Sequence, residues 1–171
     1  MQDLAQRRDI ILEQWLEQTL AGYSSPTARF LCHENDRFRN PVGNILKEGL
    51  ATLLHQLCGE MDAAKIGPAL ESIVRLRAVQ DFTPAQAIGF IFALRQILHD
   101  NLEGGGPLTW QKRIDEMALL AFDLYMKCRE ELYEIKVRER QREMFVWGRM
   151  SRRVQHDSGC SPKGSSLSSR G

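Results

Sequence analysis

At 171 residues, with 43% apolar and 26% charged side chains, the chain is long enough for one domain with a real core and too short for two ordinary ones. No apolar run approaches the roughly 18 residues of a membrane span, and the start, Met1-Gln-Asp-Leu-Ala-Gln-Arg-Arg-Asp9, lacks the apolar core of a secretory signal, so a soluble cytoplasmic protein is expected. The net charge of +1 hides an asymmetry: residues 1–133 carry 14 basic and 18 acidic groups, residues 134–171 nine and four.

Leu4, Ile11, Leu12, Trp15, Leu16 and Leu20 recur at helical spacing, which predicts a first helix from about Asp3 to Leu20, stopped by Gly22. Ser24-Ser-Pro26 reads as a turn, after which Phe30 and Leu31 pack on the body. Asn40 is placed to cap a second helix with Pro41 at its first position, running to about Leu57 and closed by Gly59. A third helix is expected to begin near Lys65 to Pro68, with Leu70, Ile73, Val74, Leu76 and Val79 inward. It ends near Asp81, Phe82 crosses the gap, and Thr83-Pro-Ala-Gln86 opens a fourth helix as a reciprocal capping box. That helix is apolar nearly all round from Ala85 to Leu94, which predicts the most buried element; Gly104-Gly-Gly-Pro107 ends it.

From Leu108, the stripe Trp110, Ile114, Met117, Ala121, Leu124, Cys128 continues without Gly or Pro until Gly148. A helix of about 40 residues would measure roughly 60 Å, so its far half is expected to project or to find a partner. Residues 134–157 read as a charged helical extension. Residues 158–171, rich in Ser and Gly, read as a disordered tail.

Asp36-Arg-Phe-Arg-Asn-Pro-Val-Gly43, Lys47-Glu-Gly-Leu50 and Ile73-Val-Arg-Leu-Arg-Ala-Val-Gln-Asp-Phe-Thr-Pro-Ala-Gln-Ala87 together resemble the N-terminal domain of RsbR/RsbRD-type stressosome co-antagonists, over roughly residues 5–135. The resemblance implies an all-α, globin-like bundle of about five main helices with a long C-terminal helix, a homodimer, and a haem-free sensory module of signal transduction in stress response. In such proteins a STAS domain that binds partner-switching kinases follows the sensory domain. Only residues 136–171 follow it here, so the expectation is a stand-alone, non-catalytic module whose last helix carries a change to a signalling protein partner.

Arg75, Arg77 and Asp81 interrupt an apolar helix beside the capped junction. Arg77 and Asp81, four residues apart, are spaced to pair on one face. One reading is a ligand pocket in which arginines meet a carboxylate or phosphate; the other is an internal network tying the helix end to Asp36 or Asn40. Phe145, Trp147 and Met150 form an apolar cluster among arginines, a candidate partner-binding patch. The scattered Cys32, Cys58, Cys128 and Cys160 read as unpaired thiols rather than a disulfide or zinc framework, and no cofactor is expected. An accessory or cofactor-binding, haem-like protein of a redox system is the alternative, for which His55 and His99 would be the axial candidates. There is no phosphate loop, nucleophile elbow or paired-His motif, hence no enzyme. The small positive excess of the tail argues against nucleic acid.

Overall fold

The computed structural model describes residues 2–34 and 36–157, with side chains for residues 6–34, 36–145 and 147. Among the described residues the chain is all-α. Its helices are α1 (Gln2–Leu20), α2 (Ser25–His33), α3 (Pro41–Cys58), α4 (Ala63–Val79), α5 (Pro84–Asn101) and α6 (Leu108–Asp157), with one 3-10 turn at Glu103–Gly105. Six helices thus stand where five were expected. The added one is α2: Pro26 lies in its first turn, behind Ser24 at the N-cap position, so the proline that reads as a turn signal instead starts a helix. Leu31 is buried on it, whereas Phe30 remains half exposed.

The helix ends follow local chemistry. Asn40 accepts from the Gly43 N–H, Asp62 from that of Ala64, and the capping box at Thr83 and Gln86 is complete in both directions. Because Asp62 supplies a cap, α4 begins a turn earlier than Pro68 suggests, and Pro68 lies inside the helix. The 50-residue α6 passes through Gly148 without a break. The expected tail, residues 158–171, lies outside the described residues.

The described chain divides into a unit Met1–Glu130 and a second one that begins at Glu131. In the first, α3 packs along α4, and α1 packs against α5 and α3. Gly49 permits the α3–α4 approach, since a Cβ there would meet Ile73 Cδ1 at 2.8 Å. A helical glycine costs about 1 kcal/mol. Burial of Leu46, Leu50, Leu53, Leu54 and Leu57 on the same helix, at about 1.5–3 kcal/mol each, outweighs that. Trp15 is wholly buried; its indole N–H donates to the Phe90 carbonyl at 2.6 Å.

The inner face of α6 places Trp110, Ile114, Met117, Ala121, Tyr125 and Cys128 in the core, and Arg113 donates to the Leu57 and Gly59 carbonyls at the end of α3. The outer face of α5 departs from expectation. Phe92 is 46% exposed, Ile88 and Ala93 are only half buried, and a Cβ on Gly89 would meet nothing within 4 Å. The all-round apolar pattern of α5 therefore exceeds what this chain covers. In the second unit, Arg138 pairs with Glu134 one turn away at 2.9 Å, and Tyr133, Met144, Phe145 and Trp147 are exposed.

Candidate functional site

The segment Arg75 to Gln86 forms the corner between α4 and α5. Helix α4 ends in a Schellman arrangement. The Phe82 N–H donates to the Arg77 carbonyl at 3.2 Å and the Asp81 N–H to Ala78 at 3.3 Å, with Asp81 in the left-handed region at φ 58°. The corner thus satisfies its backbone without the usual glycine.

Arg77 is the centre of this corner. It is 3% exposed, and its guanidinium donates to the Gln86 carbonyl at 2.6 Å and to the Thr19 carbonyl at 2.5 Å. Its Cζ lies 5.2 Å from the Phe82 ring centroid and 5.1 Å from that of Phe90, a cation held between two aromatic rings. Burial lowers its pKa, and the charge of Tyr23 opposes that shift. Its Nε and the Thr19 Oγ1 are buried without a hydrogen-bond partner. The Arg77–Asp81 pair expected from their spacing does not form, because Asp81 stands beyond the helix end in a conformation where one-turn spacing no longer sets direction. Asp81 instead pairs with Arg129 at 3.0 Å.

Neither Asp36 nor Asn40 takes part in the corner. Asn40 is 1% exposed and donates to the Leu31 and Glu34 carbonyls. Arg75 lies on the exposed side of α4, 3.5 Å from Glu71. The three candidate ligand residues therefore occupy three environments and do not converge.

Residues that sequence reasoning missed complete the corner. Tyr125 donates to the Phe82 carbonyl at 2.5 Å, Arg129 reaches the Ala78 carbonyl, and Tyr23 donates to Gln80 at 2.5 Å while its ring lies 5.3 Å from that of Phe82. Gly22 gives room for this ring contact: a Cβ there would meet Phe82 at 2.8 Å. These partners come from α1, the turn after it, and α6, at separations of 43 to 58 residues, and no local pattern announces them.

Other candidates lie on surfaces. Phe145 and Trp147 are 63% and 70% exposed, and the side chain of Met150 lies outside the described residues. His55 is exposed, and the His99 ring, 73% exposed, faces Asp100, so neither points into the core as an axial ligand would. Among the described residues no three metal-ligating side chains cluster, and no helix is long and apolar enough to cross a membrane. Cys32 and Cys58 are half-buried free thiols, and Cys128 is buried.

Residues 9–140 match the family described as RsbT co-antagonist protein rsbRD N-terminal domain. The chain belongs to that family. The match takes in α3, the corner and the Asn40 cap, the segments on which the sequence resemblance rests. An uncharacterized protein of Archaeoglobus fulgidus is 28% identical over 88 residues, 50% of this chain and 58% of that protein; the chain thus spans less than two thirds of that relative. No solved structure matches the chain.

Proposed function

We propose that this rsbRD N-terminal domain is a non-catalytic sensory or regulatory module of cytoplasmic signal transduction, with the globin-like arrangement its family resemblance implies, acting as a homodimer that contacts a signalling protein. The family supports the signalling role. The observation that carries the dimer is an uncovered apolar face within the first unit. Leu119, Phe122 and Met126 on α6 are 69%, 42% and 41% exposed, and Phe92 on α5 is 46% exposed. An ion pair between Arg95 and Asp115 ties the two helices together on this side. Several large apolar side chains grouped on adjacent helices mark a surface that another chain covers, and a self-complementary patch forms a two-fold dimer.

The corner gives the module a means of passing a change onward, since Tyr125 and Arg129 of α6 read the position of the α4–α5 junction directly. Phe145, Trp147 and Met150 are the proposed contacts to the signalling partner. Light scattering on the full chain tests the dimer: Leu119→Glu with Phe122→Glu is expected to give monomers at concentrations where the natural chain is dimeric. A natural chain that stays monomeric at high micromolar concentration would remove this reading.

A further inference from the structure

The Asp36–Asn40 loop presents an aromatic ring to solvent from an immobilised backbone. Phe38 is 98% exposed, yet its N–H is held by the Asp36 carboxylate at 2.9 Å, and the Asn40 N–H closes the turn on the Asp36 carbonyl at 2.8 Å. Arg37 is bound to the Glu48 carboxylate, and buried Asn40 anchors the far end through bonds to the Leu31 and Glu34 carbonyls and from the Gly43 N–H. The backbone that carries this ring is already held, so covering the ring costs side-chain freedom alone.

A recess lies beside it. The groove between α3 and α4 has a volume of about 360 Å³ and is lined by Ile45, Glu48, Gly49, Pro68, Ala69 and Ser72, among others. Its walls are small, and Ile45 is 39% exposed at its edge. Glu48 both lines this groove and holds Arg37, so the loop that carries Phe38 is tied to one wall of the recess.

We infer that this face is a self-association surface on which Phe38 of each copy enters the α3–α4 groove of the other. A two-fold contact requires both halves of the complementarity to sit on the same patch, and a knob next to its own hole meets that requirement. A phenylalanine ring fits the volume. The Arg37–Glu48 pair, repeated on both copies across the axis, brings each arginine toward the other copy's carboxylate. This surface shares no residue with the α5–α6 face, so it goes beyond the proposed dimer and stands without it. Two separate two-fold contacts on one chain join dimers into a closed tetramer or a longer array.

Sedimentation velocity on the full chain tests the inference, both as the natural sequence and with Leu119→Glu and Phe122→Glu silencing the other face. Phe38→Ala removes the knob and Ser72→Trp fills the groove from its exposed rim; both positions face solvent, so the helical circular-dichroism signal is expected to stay unchanged. Each variant alone is expected to weaken this association about tenfold or more. An equimolar mixture of the two is expected to associate more tightly than either alone, because one supplies an intact groove and the other an intact ring. Association of Phe38→Ala equal to that of its parent, or a mixture no tighter than its components, overturns the proposal. Loss of association through Leu119→Glu and Phe122→Glu alone, with Phe38→Ala silent, would sustain the α5–α6 dimer and reject this surface.

Discussion

Arg77 donates to the Thr19 carbonyl at 2.5 Å, and this bond ties the end of α4 to the end of α1. The fork shape of arginine matters here because two carbonyls, on Thr19 and Gln86, are served at once. A lysine offers one charge centre and no plane to lie between Phe82 and Phe90. Arg77→Lys is therefore expected to cost about 2 kcal/mol and Arg77→Met about 2–4 kcal/mol, each carbonyl left dry contributing about 1–3 kcal/mol. Urea denaturation followed by circular dichroism measures both, and a Lys variant as stable as the parent would contradict the tie.

At Asp81 two small terms compete. The left-handed backbone costs a non-glycine residue about 1–2 kcal/mol, less for Asp than for most. The ion pair with Arg129 involves an Asp81 side chain that is 72% exposed and is worth at most about 1 kcal/mol. Asp81→Gly is accordingly expected to leave stability equal or raised by up to about 1 kcal/mol, and Asp81→Ala to lower it by about 1 kcal/mol. The same denaturation experiment reads the difference, and an Ala variant more stable than the Gly variant would reject the backbone account.

Asn40 supplies a sharper test of chemistry. At ordinary helix starts Asn and Asp cap equally well. Here the amide nitrogen faces the Leu31 and Glu34 carbonyls, so a carboxylate in its place would set negative oxygen against oxygen in a buried position. Asn40→Asp is expected to destabilise the protein by about 2–3 kcal/mol at neutral pH, with partial recovery as acid protonates the new carboxyl. Equal stability of the two at neutral pH would mean that the amide contacts are dispensable.

Burial raises the pKa of Cys58 above 9.0, against Arg8 and Arg113, which lower it. Burial likewise raises that of Tyr23 above 10.0, with Arg77 and the bond to Gln80 opposing. Both groups keep their protons in the folded state at a pH where the unfolded chain releases them. The native state then binds more protons, so stability is full below the unfolded values and falls as pH rises from about 9 past 10. Thermal melts between about pH 8 and about pH 11 are expected to show this decline, with a shallower slope in Cys58→Ala and Tyr23→Phe; an unchanged slope in both would assign the loss elsewhere.

What was legible in the chain was its local chemistry. Asn40, Thr83, Gln86 and Pro41 declare helix starts because their partners lie within four residues. The apolar spacing of α1, α3 and α6 marks most of the buried positions among the described side chains, but Ile45 on α3 is exposed, and on α6 Tyr125 is buried where Leu124 is only half buried. Two things were not legible. A nine-residue α2 is too short for periodicity to override its Ser-Pro turn signal. The surroundings of Arg77 depend on Thr19, Tyr125 and Arg129, whose approach is a property of the assembled bundle. Likewise, the apolar circumference of α5 states how much surface asks to be covered, and leaves open whether this chain or a second one covers it.

The long separations at the α4–α5 corner also bear on how the molecule reaches its native state. A local pair of helices can form early, with Arg77 reaching the Gln86 carbonyl nine residues on, but the Phe82 carbonyl meets Tyr125, and Arg77 meets Thr19, only after loops of about 43 and 58 residues have closed, an entropic toll levied before any reward. The corner should therefore be the last region of the first unit to gain protection during refolding, and the first to lose it when the opening helix or residues 125–129 are cut away.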